Sequence, residues 1–215
     1  VFDFSDTMGV LRASEKCNGS GDCRKGPQAG GTMCPSYMAT REEKHTTRAR
    51  ANILRQILTE PADAEHPFNS EEIKEVMDLC LSCKACKSEC PSSVDMTKLK
   101  AEFQQHYHEA NGVPLRSRMV AHFAESARLA SFAPRLYNAF FQTPILRRIS
   151  NPLIGFHSER SIPRHNRITL RSGYSGRNPL VPTRGKRLGR VHLFCDEFTN
   201  YNDLDAGIAT VELLE

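Results

Sequence analysis

The chain has 215 residues with a formal net charge of +4, 39% hydrophobic residues, eight Cys and no Trp. No apolar run approaches the ~18 residues a membrane-spanning helix needs, and a charge of +4 is too mild to mark a nucleic-acid binder by itself. The N-terminus, Val1-Phe2-Asp3-Phe4-Ser5-Asp6, lacks a basic region followed by an apolar one and lacks a starting Met. It therefore reads as a cytoplasmic segment of something longer, without a secretory signal.

In chain order, residues 1–14 read as an extended lead-in and residues 17–38 as a loop, flexible at Gly26-Pro27-Gln28-Ala29-Gly30-Gly31. Thr40-Arg41-Glu42-Glu43 has the pattern of a capping box and predicts a helix to about Leu58, stopped by Pro61. Asn69-Ser70-Glu71-Glu72 predicts a second, with Ile73, Val76, Met77 and Cys80 on one face. Asp95 caps a third, striped by Leu99, Phe103 and Tyr107 and ended by Asn111-Gly112. A fourth is expected from Leu115 to Ala130. Beyond Pro134, prolines at 144, 152, 163, 179 and 182 predict short helices and extended connectors. Val191-His192-Leu193-Phe194-Cys195 reads as a buried strand with Cys195 a core thiol, and Asp203 onward as a helix running to Glu215.

The expected fold is mainly α. It has a helical domain over 1–112, a basic Pro-rich connector over 113–190 and the start of an α/β unit over 191–215. Charge divides along the same lines, at −3, +13 and −6. The basic block is Arg-rich and interleaved with apolar residues, which suits an interface or solvated surface. A membrane surface is the next expectation and nucleic acid is not expected.

Seven of the eight Cys cluster. Cys80-Leu-Ser-Cys83-Lys-Ala-Cys86-Lys-Ser-Glu-Cys90-Pro91 matches C-x2-C-x2-C-x3-C-P at every position. That spacing wraps three thiolates around one [4Fe–4S] cluster and sends the Cys before Pro to the other cluster of a two-cluster domain. Three evenly spaced Cys within seven residues fit zinc poorly. The first group, Cys17-Asn-Gly-Ser20-Gly-Asp-Cys23 followed by Cys34-Pro35, is a degraded copy with Ser20 where a second Cys would stand. Crossing the motifs gives one complete set, Cys80, Cys83, Cys86 and Cys34. The other set, Cys17, Cys23 and Cys90, is one thiolate short. It is left with a three-iron cluster, a four-iron cluster completed by Ser20, His45, water or an outside group, or nothing. Arg24, Lys25, Lys84 and Lys87, beside these ligands, either stabilise a reduced cluster or are solvated surface.

Lys16 to Lys25, Met33 to His45 and Thr47-Arg-Ala-Arg-Ala-Asn52 resemble the iron–sulfur part of bacterial FAD-linked oxidases. These are the D-lactate and D-2-hydroxyglutarate dehydrogenase-like flavoproteins. Gly155 to Pro163 resembles their connector, and Val191 to Glu215 the start of their cysteine-rich CCG domain. The resemblance implies a helical ferredoxin domain taking electrons from reduced FAD in another domain of the same polypeptide. It would pass them to a quinone or other acceptor, with a downstream CCG domain and peripheral contact at the inner membrane face. No nucleophile–base pair or phosphate loop is present. The alternative is a zinc-stabilised helical binding module whose basic segment grips nucleic acid or lipid.

Overall fold

The structure is a computed structural model that describes residues 2–175 and 189–214. It divides into two compact units, 1–113 and 114–215. Regular structure among the described residues is helical throughout, in agreement with a mainly α fold.

The first unit begins with a 3-10 turn at Ser5–Thr7 and helix α1 (Val10–Glu15), in place of an extended lead-in. Its Cys-bearing loop ends in α2 (Pro35–Thr40), with Pro35 at the position where its missing N–H costs nothing. Helix α3 (Thr47–Thr59) starts later than the Thr40 pattern predicts, because Thr40 closes α2. The Thr40 hydroxyl donates back to the Ser36 carbonyl at 2.9 Å, and Arg41 turns left-handed. Thr46 is the true cap, its hydroxyl accepting the Ala49 N–H at 3.0 Å.

The cap expected at Asp95 is present, whereas the second helix is capped by Ser70, one residue after the Asn69 that opens the capping-box pattern. Ser70 opens α4 (Glu71–Asp78), which buries Ile73 and Met77 and stops short of Cys80. The second Cys motif then folds around the short α5 (Ala85–Glu89). Asp95 opens α6 (Met96–Asn111), whose Met96, Leu99, Phe103 and Tyr107 form a buried stripe at i, i+3/i+4 spacing. Gly112 ends it at φ +81°, a conformation open to glycine at no steric cost.

The core is Phe4, Met33, Ala51, Leu54, Ile73, Met77, Val94 and the α6 stripe, with Cys17, Cys80 and Cys90 packed on its margin. Phe103 is buried within it. Replacing it with Ala is expected to cost about 3–5 kcal/mol, read as faster amide exchange in α3, α4 and α6.

The second unit holds α7 (Leu115–Ala121), α8 (Phe123–Ala130), α9 (Pro134–Gln142), α10 (Pro144–Leu153), α11 (Leu170–Tyr174), α12 (Glu197–Tyr201) and α13 (Leu204–Leu214). The single helix expected over 115–130 is two, parted at His122. Phe123 stacks on Phe198 at 4.5 Å, and Tyr137 and Tyr201 both stack on the His165 ring. Gly207 lets α13 approach closely: a Cβ there would meet Leu170 at 2.6 Å.

The strand expected at Val191–Cys195 is not formed. That segment is irregular, and Phe194 is 85% exposed. A strand must pair its backbone N–H and C=O groups with a neighbour, and no strand exists among the described residues. Cys195 is therefore half-buried in a connecting segment, not in a core. Pro179, Pro182 and Glu215 lie outside the described residues.

Candidate metal centre

The backbone of the Cys motifs is bent where ordinary residues resist bending. Cys34, Ser82 and Lys84 all adopt positive φ, at 56°, 53° and 64°. Such left-handed conformations cost a non-glycine residue roughly 1–2 kcal/mol, and they gather at functional sites. Here they fold Cys80 to Cys86 back on itself and bring it opposite the Cys34-Pro35 turn.

The result is a cavity lined by Cys34, Cys80, Cys83 and Cys86, together with Ser36, Thr47, Arg50, Met96 and Thr97. The four thiols belong to three separate stretches: the N-cap of α2, the loop after α4, and α5. Cys34 and Cys86 are buried, Cys80 is half-buried and Cys83 is exposed. Among the described residues no three His, Cys, Asp or Glu side chains are grouped so as to hold a single metal ion.

Two helix N-termini face this cavity. The Thr47 N–H, first in α3, donates to Cys34 Sγ at 3.1 Å, with the Thr47 hydroxyl 3.0 Å from the same sulfur. At the start of α6 the N–H groups of Met96 and Thr97 point at Cys86 and oppose the burial that pushes its thiol up. Unpaired N–H groups of a first helical turn carry partial positive charge and favour anions. The Thr97 hydroxyl is buried without a hydrogen-bond partner, and Thr97 lines the same cavity.

The remaining thiols sit differently. Cys23 is buried; the Cys34 thiol beside it, then the Arg48 N–H and the Thr46 hydroxyl, hold the Cys23 thiol below its ordinary value. The same proximity, with burial, raises Cys34. Successive N–H groups of α3 thus serve the two Cys groups, Thr47 on Cys34 and Arg48 on Cys23. Cys17 and Cys23 both lie in the field of the Arg48 guanidinium. Cys90 closes α5 on the margin of the core. Ser20 is exposed. His45 is buried with Nε2 3.7 Å from a Glu42 carboxylate oxygen.

Glu89 ties the two motifs together, which sequence reasoning missed. One carboxylate oxygen accepts the Thr32 N–H at 2.8 Å and the Thr32 hydroxyl at 2.9 Å; the other accepts the Met33 N–H at 3.1 Å. These bonds hold its carboxyl below the usual range and pin the segment leading into Cys34 against α5.

Residues 16–95 match the family model of the 4Fe-4S dicluster domain. The match starts one residue before Cys17 and takes in all seven clustered cysteines. Outside this domain the likeness is carried by longer proteins. The chain is 29% identical to a D-2-hydroxyglutarate dehydrogenase of Escherichia coli (strain K12), over 95% of this chain and 24% of that protein. It is 27% identical to the one of Pantoea ananatis (strain AJ13355), with the same coverage of both. A probable glycolate oxidase iron-sulfur subunit of Bacillus subtilis (strain 168) is 26% identical over 40% of the chain. The chain thus spans about a quarter of the length of the D-2-hydroxyglutarate dehydrogenases it matches. No solved structure matches.

The residues around the cavity fit an iron–sulfur cluster. Four thiols line one space, the Thr47 N–H bonds the Cys34 sulfur, the N–H groups of Met96 and Thr97 favour a charged Cys86, and a threonine with an unpartnered hydroxyl lines it.

Proposed function

We propose that this chain is the iron–sulfur electron-transfer part of an FAD-linked 2-hydroxy acid dehydrogenase. The observation that carries the reading is the single cavity lined by Cys34, Cys80, Cys83 and Cys86 inside the dicluster domain. Cys34, Cys80, Cys83 and Cys86 would hold one [4Fe–4S] cluster. Cys17, Cys23 and Cys90 would hold part of a second site, with Arg48 beside two of them. When bound, such clusters supply one-electron transfer, which a flavin needs to return its electron pair in single steps.

The chain's own contribution is to stabilise the thiolates with the N–H groups of Thr47, Met96 and Thr97 and to keep the thiols in place through Glu89. The FAD would lie in a flavin domain of the same polypeptide, and a quinone or other acceptor and a CCG domain would complete the route. This assignment draws on the relatives' names and lengths.

Residues 113–190 would act as the basic connector. Ile145, Ile149 and Leu153 of α10, all exposed at i, i+4 spacing beside Arg147 and Arg148, are suited to docking on the flavin domain or on an anionic membrane face. Among the described residues no helix is long and apolar enough to cross a membrane.

The test is the visible spectrum of anaerobically prepared protein. A broad absorbance near about 400 nm that bleaches with dithionite is expected from clusters. A colourless protein with stoichiometric zinc would overturn the reading in favour of the zinc-stabilised module.

A further inference from the structure

We propose that Arg50 and Lys100 are positioning residues that hold positive charge against a cluster bound by Cys34, Cys80, Cys83 and Cys86, and so raise its reduction potential. The inference rests on the electron-transfer reading and names the residues that set its driving force.

Arg50 is 2% exposed and Lys100 7%. Every hydrogen bond they make goes to a neutral acceptor. Arg50 donates from Nε to the Val76 carbonyl at 2.7 Å, from Nη1 to the His45 carbonyl at 2.9 Å and from Nη2 to Ser36 Oγ at 3.1 Å. Lys100 Nζ donates to the Met77 carbonyl at 2.8 Å and to the Cys80 carbonyl at 2.7 Å. Neither forms an ion pair with Asp or Glu among the described residues.

Four neighbouring cations, three exposed and Arg48 half-buried, are instead paired with carboxylates, while Lys84 lines the cavity with no ion pair among the described residues. Arg24 pairs with Glu43 at 3.0 Å, Arg48 with Glu43 at 2.7 Å, Lys44 with Glu75 at 3.1 Å and Lys87 with Asp95 at 3.2 Å. These charges are neutralised, whereas Arg50 and Lys100 have no carboxylate at ion-pair distance among the described residues; burial pushes the Lys100 amine down, opposed by the Cys80 thiol and Asp78. Buried charges are ordinarily paired or bound to an ion, so an anion from outside the chain is called for.

Both cations adjoin the same place. Arg50 lines the cavity with the four thiols, and Lys100 grips the backbone of Cys80. A cluster held by four thiolates is net anionic, and reduction adds one more negative charge. A fixed cation in a low-dielectric site therefore favours the reduced form. Arg cannot shed its proton to escape the cost; Lys100 is locked by bonds to α4 and the loop after it, and Arg50 by bonds to α4, the His45 carbonyl and Ser36 of α2. Arg24 and Lys87, beside the ligands in sequence, are already neutralised by Glu43 and Asp95 and contribute less.

The experiment is a redox titration of the full chain, reconstituted anaerobically and followed by visible absorbance and electron paramagnetic resonance. Iron and acid-labile sulfide are counted first in each sample. The variants are Arg50→Gln and Lys100→Gln, with Arg50→Lys and Lys100→Arg retaining charge. Each Gln variant is expected to shift the reduction equilibrium at least tenfold toward the oxidised form, which is about 59 mV for one electron. The charge-retaining variants should stay near the parent.

Fully loaded Gln variants with the parental midpoint would overturn the proposal. So would loss of iron in the Gln and charge-retaining variants alike, which marks a purely structural role. If Arg50→Gln alone fails to load, the Lys100 pair decides by the same criterion. A parent chain that takes up no cluster fails the electron-transfer reading itself, before any variant is compared.

Discussion

Replacing Cys86 with Ala is expected to abolish one cluster's worth of iron and acid-labile sulfide, whereas Cys195→Ala leaves both unchanged. Cys86 is buried, lines the cavity with Cys34, Cys80 and Cys83, and receives N–H groups from Met96 and Thr97 at the start of α6. An alanine there removes a ligand and leaves those donors facing a gap. Cys195 has no such setting: its sulfur stands 3.8 Å from the Asp196 carbonyl in the second unit. Iron and sulfide analysis with the visible spectrum reads the outcome, and Cys86→Ala with its full iron content would refute the ligand set. Cys90→Ala is the informative companion, since a loss of iron there reports on the incomplete set of Cys17, Cys23 and Cys90.

The parts of this architecture that were legible in the sequence are those fixed by local rules. The Asp95 cap follows from one side chain and one N–H three residues on, and the α6 stripe from a repeat over about three turns. The Thr40 pattern obeyed the same rule and failed, because the Thr40 hydroxyl bonds backward within α2 and leaves the cap to Thr46. Val191–Cys195 failed for another reason. An apolar run is ambiguous until something pairs with it, and nothing among the described residues does. Spacing alone suggested that Cys34 belongs with Cys80, Cys83 and Cys86. The bends at Cys34, Ser82 and Lys84 that put the four around one cavity cannot be read from residue types, because serine and lysine rarely turn left-handed. The buried cations were not legible either, because Arg and Lys are ordinarily solvated. Their positions nevertheless carry a signal. Arg50 shares the α3 face of Ala51 and Leu54, and Lys100 interrupts the α6 stripe between Met96 and Phe103. A charge set on an apolar stripe beside a thiolate motif is the pattern that distinguishes a buried cation from a solvated one.

Stripping iron under reducing conditions is expected to loosen the first unit where the cysteines are held, and not merely to bleach it. Its core is modest, drawn from 113 residues, and domains of this size bury a limited share of their surface. Three left-handed non-glycine residues and two buried, uncompensated cations burden the same small region. Each left-handed residue costs roughly 1–2 kcal/mol, and an unpaired buried ion costs several more. Metal binding is able to offset such strain, since structural zinc contributes on the order of 10–16 kcal/mol in small domains. With the metal gone, Arg50 and Lys100 lose the anion they face, and the N–H groups of Thr47, Met96 and Thr97 face neutral thiols. The first turns of α3 and α6 and the loops at 17–34 and 80–94 should therefore open first. The Ile73 and Phe103 contacts should hold longer. Amide hydrogen exchange of the iron-loaded and chelated protein, both kept reduced, reads this directly. The expected result is a large loss of protection at 17–50 and 80–100 and a smaller one in the C-terminal half of α6. Identical exchange in the two samples would mean that the polypeptide alone holds the thiols in place, and that the bends at Cys34, Ser82 and Lys84 are sustained by packing without help from the metal.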